Sequence, residues 1–115
     1  MSYESRAVII LGWEAEELRR TLHKYRESNT MNKFADQIEI KLNETDHIRD
    51  YLNDEFLYIG KIISDKGVDS LHETIFIDEL DFKGLEREAY EEAEKVKEFW
   101  KPVGPPRLVH FCYVR

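Results

Sequence analysis

Apolar residues in this chain fall into short blocks separated by charged stretches, and the spacing inside each block differs. SRAVIIL (residues 5–11) is continuous, β-branched and ended by Gly12, which predicts a buried strand. EAEELRRTLHKYRES (14–28) instead puts Ala15, Leu18, Leu22 and Tyr25 on one helical face. Glu14, Glu16 and Glu17 crowd its first turn, and Arg19, Arg20, Lys24 and Arg26 follow, the order a helix dipole favours. FLYIGKII (56–63) is the most apolar run and predicts a second strand, closed by a turn at SDKG (64–67). HETIFIDEL holds a third, at residues 73–78. A long helix over 82–100 carries the stripe Leu85, Ala89, Ala93, Val96 and Phe99 or Trp100, with Glu91 and Lys95 as an i,i+4 pair. Pro102 stops it, PVGPP is a stiff turn, and RLVHFCYVR (107–115) predicts the last strand.

Residues 29–55 fit more than one pattern. SNTMN has loop composition. IEIKL (38–42) alternates like a strand, yet also fits a helix beginning near Phe34. TDHIRDYLNDE brings Ile48, Tyr51 and Leu52 onto one helical face behind Thr45, a plausible cap, and predicts a helical segment. The order of elements predicts an α+β fold, a ferredoxin-like βαββαβ sheet with two helices on one face and an extra helical segment after the first helix. Right-handed crossovers then give the strand order fourth, first, third, second. The length reads as a single domain over 1–115.

In that topology the second and last strands are sheet edges, yet both are apolar on two faces. Phe56, Tyr58 and Ile62 oppose Leu57, Ile59 and Ile63; Leu108, Cys112 and Val114 oppose Val109, Phe111 and Tyr113. The face away from the helices then needs a cover: the segment 29–55, a second copy of the chain, or another protein, with intramolecular cover plus a homodimer the favoured combination. Gly60, inside the best strand, fits a bulge or a tight helix contact better than a ligand cradle. Gly12 is its one candidate companion, and neither G-x-G-x-x-G nor G-x-x-x-x-G-K-[ST] occurs.

Charge narrows the partners. The chain has 17 basic and 24 acidic residues, a net charge of −7, which repels nucleic acid at long range. The acids are interrupted by bases, as in EREAYEEAEKVKE, which argues against a DNA mimic. Cys112 is the only cysteine, so no internal disulfide forms and a reducing, cytoplasmic setting is expected. The start does not read as a signal peptide, and no segment reads as a membrane span. RNA recognition by such a sheet needs aromatics on the central strands, and AVIIL has none.

Candidate chemistry is sparse. His110 and Cys112 share a strand face, but their Cβ atoms would lie ~7 Å apart with no third group to orient them. His47 with Asp46 and Asp50 lacks the repeated spacing of a metal site, His23 borders the helical stripe, and His72-Glu73 carries no signal. No catalytic residue, metal site or cofactor is therefore assigned. The surplus is aromatic: Tyr90 and Trp100 flank the last helix's stripe, and Trp13 stands where the first strand passes into its helix.

The short, acidic, Tyr-rich chain, with segments such as DYLNDEFLYIGKI, resembles the small proteins that bacteriophages encode to bind and block host enzymes or defence systems, anti-CRISPR proteins among them. The likeness includes no defined motif and transfers no functional residues. It implies a non-enzymatic protein-binding accessory or inhibitor protein acting through an acidic and aromatic surface. Glu86, Tyr90, Glu91, Glu94, Trp100, Tyr58 and Tyr113 are the expected contact residues, and the partner is another protein, such as a basic nucleic-acid-binding enzyme. The alternative is a small-molecule sensor that uses a dimer cleft.

Overall fold

The computed structural model describes residues 5–27, 33–50, 53–67 and 81–114. They form an α+β architecture of strand β1 (Ser5–Glu14), helices α1 (Glu16–Glu27) and α2 (Lys33–Asn43), strands β2 (His47–Arg49) and β3 (Leu57–Gly67), helix α3 (Phe82–Glu94) and strand β4 (Arg107–Val114). The strands make one antiparallel sheet in the order β2-β3-β1-β4. The third strand expected at 73–78 lies outside the described residues.

The ferredoxin-like strand order is corrected by the pairing of β1. A β-α-β crossover would make the second strand an edge, but β3 runs antiparallel to β1 and lies between it and β2. The cause is in residues 29–55. They contribute a second helix, α2, so the connection holds two helices and brings the chain back to the end of the sheet it left. Glu14, the last residue of β1, pairs with Tyr58, the second of β3. Of the two patterns open for IEIKL, the helical one is realised, with Ile38 and Leu42 fully buried. The helical segment expected behind Thr45 is instead strand β2. The Thr45 side chain ends α2 by donating to Lys41 O at 2.6 Å, and Ile48 pairs with Tyr58. The SDKG turn is likewise strand, the far end of β3.

All three helices lie on one face. Leu18 and Leu22 of α1, Ile38 and Leu42 of α2, Leu57 and Ile59 of β3, and Val96 form one buried cluster. Trp13 joins Ala89 and Ala93 of α3 in a second. The expected stripe of α3 is the buried one, although the helix ends at Glu94 and continues as a turn. Lys95 pairs with Glu92 at 2.9 Å rather than with Glu91. Arg49 reaches from β2 to Glu39 of α2 at 2.8 Å, and Asp46 N donates to Glu92 of α3 at 3.0 Å.

The opposite face holds Val8, Ile10 and Ile48, exposed by 0%, 0% and 3%, with Phe56, Tyr58, Ile62 and Val109 packed around them. Its centre is thus buried within the single chain, while the apolar residues around that centre are only partly buried. Of the described residues of segment 29–55, α2 packs on the helical side, while β2 joins the sheet and adds Ile48 to this face.

Gly60 pairs directly with Gly12. A Cβ on Gly60 would come within 2.2 Å of Leu11 O, and one on Gly12 within 2.1 Å of Ile59 O. Two glycines therefore let the backbones of β1 and β3 approach more closely than side chains permit. The bulge falls elsewhere, where Ile9 pairs with Ser64 and Ile10 with Ile62.

Candidate functional site

Gly12 sits just where β1 passes into α1. An open cleft of about 550 Å³ lies there, lined by Gly12 and by Trp13, Tyr58 and Trp100. A further wall is the turn after α3, which contains Val103, Gly104 and Pro105. That turn is fastened to the sheet by Trp13, whose Nε1 donates to Gly104 O at 3.0 Å. Gly104 has φ +78°, a left-handed backbone that glycine adopts without cost. Val103, at the lip of the cleft, is 94% exposed.

The aromatic rings hold one another in place. Tyr90 meets Trp13 edge-on with centroids 5.0 Å apart, and Trp100 meets Trp13 at 6.4 Å. Trp13 is buried, whereas Tyr90 is 43% exposed. Glu86 and Glu94 stand one turn to either side of Tyr90 on the same helical face, both exposed. Lys97 donates a hydrogen bond to Glu94 at 2.8 Å, which lowers the glutamate's pKa and raises the lysine's.

Charge divides the cleft. Glu14, Glu16 and Glu17 line it where α1 begins, and Lys101 and Arg107 line it from the opposite side. Glu16 is held by Arg19 and Arg20, and the hydrogen bond from Arg19 lowers its pKa. Glu14, Glu17, Lys101 and Arg107 form no ion pair among the described residues. The pKa of the Tyr58 hydroxyl is raised, first by burial and then by the fields of Glu14 and Glu16. The cleft is thus negative at the Tyr58 end.

Of the expected contact residues, the fold gathers Tyr58 and Trp100 in the cleft and sets Tyr90 against Trp13, one of its lining residues, with Glu86 and Glu94 on the same face of α3 as Tyr90. Glu91 is exposed but is turned away from the Tyr90 face. Tyr113 pairs through its backbone with Arg6, and its side chain lies outside the described residues. Glu14, Glu17, Lys101, Val103 and Arg107 were not expected. Two signals point toward them, the GWE step at the end of β1 and the rigid PVGPP turn that follows Lys101.

The other candidates dissolve into structural roles. Asp46 completes the edge of β3 by accepting from Ile62 N at 3.3 Å, and Asp50 accepts from Asn53 N and Glu55 N at 3.1 Å each. His23 Nδ1 lies 2.8 Å from Asp54 Oδ2, and Arg19 donates to Asp54 O at 2.6 Å. Together they tie α1 to the turn before β3, where Asp54 has φ 55°. His110 and Cys112 are exposed on β4. Among the described residues no three His, Cys, Asp or Glu side chains gather as a metal site, and no helix is long and apolar enough to cross a membrane. Compared with known proteins, the chain matches no family model, no curated protein and no solved structure.

Proposed function

We propose that the chain is a non-enzymatic protein-binding accessory or inhibitor protein, of the kind bacteriophages use to block host defence or nucleic-acid enzymes. Its binding surface is the Tyr90 face of α3 together with the adjoining cleft. The observation that carries this is the exposed Tyr90 ring, braced edge-on by Trp13 and flanked by Glu86 and Glu94. A ring already held in place loses little freedom on binding, and aromatic anchors of this kind dominate interface energies. The flanking carboxylates and the net charge of −7 suit a basic partner surface.

The test is capture from a bacterial lysate by the immobilised chain, by Y90A and by the E86K/E94K variant, with melting curves confirming that all three are folded. Retention of a discrete protein by the wild type and its loss in both variants supports the proposal. Retention of nothing, or capture unchanged in both variants, overturns it. A small-molecule sensor is the second function, favoured by the size of the cleft, which falls in the ~300–1,000 Å³ range of ligand sites. This cleft is formed within one chain rather than between two. A metabolite that raises the melting temperature while the lysate yields no partner selects the sensor. Light scattering on the chromatographed chain tells whether a second copy is among its partners.

A further inference from the structure

The cleft is dipolar, and its charges have defined places on the sheet. Arg107 pairs with Gly12, and Glu14 lies two residues further along the same face of β1. Sheet geometry puts their Cα atoms roughly 8 Å apart on the diagonal. That is close to the ~7 Å between residues i and i+2 of an extended peptide, whose side chains share a face. Between the two charges lies the open cleft beside Gly12, with the rings of Tyr58 and Trp100 lining it.

Resting on the protein-binding function above, we propose that the cleft takes an extended segment of the partner in which an arginine stands two residues from an acidic residue. The arginine lies against Tyr58 and Trp100 and pairs with Glu14 and Glu17, while the acidic residue pairs with Lys101 and Arg107. Arginine suits the first position because its planar guanidinium both stacks on aromatic faces and forms paired hydrogen bonds with carboxylates. Burial comes first in raising the pKa of Tyr58, and the fields of Glu14 and Glu16 that add to it favour a cation beside its ring. Val103, apolar and exposed at the lip, offers contact to the segment's uncharged residues.

Both tryptophans of the chain line the cleft, so intrinsic fluorescence reports its occupancy. The probe is the capped heptapeptide Ala-Ala-Arg-Ala-Glu-Ala-Ala, titrated into the full chain at low salt. The controls are the same peptide with two arginines, the same with two glutamates, and free arginine. A saturable emission shift is expected with the mixed peptide. It should be about fivefold weaker with either single-sign peptide and about fivefold weaker in E14Q/E17Q and in R107Q, as befits exposed charge pairs. No shift, equal shifts from all three peptides, or an undiminished shift in E14Q/E17Q and R107Q overturns the proposal. Free arginine acting as strongly as the capped peptide also overturns it, in favour of a small-molecule site. Partner capture that is lost in E86K/E94K, with no response to the peptide, removes this proposal and leaves the binding function of α3 standing.

Discussion

Alanine at Gly60 is the sharpest perturbation this fold offers. The new Cβ would sit 2.2 Å from Leu11 O and 2.5 Å from Gly12 Cα. Both are backbone atoms, so no rotamer change relieves the overlap. Ordinary contact begins near 3.4 Å, so β1 and β3 must part locally by about 1.2 Å. A ladder bond of ~2.9 Å stretched by that much passes the limit of a hydrogen bond. Losing two such bonds costs about 2 kcal/mol net, and the overpacking strain that remains adds ~1–3 kcal/mol. The residual gain from alanine's better strand conformation offsets ~0.5–1 kcal/mol. The balance is a loss of about 3 kcal/mol, or roughly 10–15 °C in Tm for a domain of this size. Far-UV circular dichroism melts and urea titrations of wild type and G60A measure it. One separation of the strands accommodates both methyl groups, so G12A and G60A should combine to much less than their sum. As a contrast, a Cβ on Gly104 meets nothing within 4 Å, and G104A should cost only the ~1 kcal/mol of its left-handed backbone. A G60A melt within 3 °C of wild type, or strictly additive glycine variants, would refute the close crossing of β1 and β3.

Other substitutions probe the tethers around the cleft and the turn before β3. W13F keeps the ring packing but loses the bond to Gly104 O, so it should cost about 1 kcal/mol; amide exchange should accelerate in the turn at 101–106. Asp54 combines φ 55° with a bond to His23. D54A should therefore lie below D54G by about 1 kcal/mol in urea unfolding, since glycine alone escapes the backbone strain. The raised pKa of Tyr58 means that its neutral form is favoured by folding. That stability is fully present below the ordinary value of 10.0 and is lost as pH rises through the folded-state pKa. The absorbance titration should include a late component that disappears in Y58F. Glu16 has the opposite sign: its pKa lies below 4.5, so its contribution is present above that value and is lost as pH falls through the folded-state pKa. The stability difference between wild type and E16Q should shrink on acidification, and an unchanged difference at pH 3 would contradict the pairing with Arg19.

Local pattern was enough to place much of this protein. The buried residues of β1, the stripes of α1 and α3, and the two opposed faces of the strand that begins at Leu57 follow from side-chain period alone, because burial acts residue by residue along each element. The acidic face of α3 was legible for the same reason, whereas the exposure of Tyr90 was not, because a ring that flanks an apolar stripe fits the core as well as the surface. Long-range relations were not. Whether β3 runs parallel or antiparallel to β1 turned on IEIKL, a segment whose alternation fits two structures until the core selects one. The pairing of Gly12 with Gly60 joins residues 48 positions apart, and only the register of the ladder shows that each glycine serves the other. The cleft depends on that register as well. Glu14, Tyr58, Trp100 and Arg107 come from four separate stretches of chain and have no common signal in sequence. Side-chain period reports which way a residue faces, whereas what it faces is set by how the elements pack.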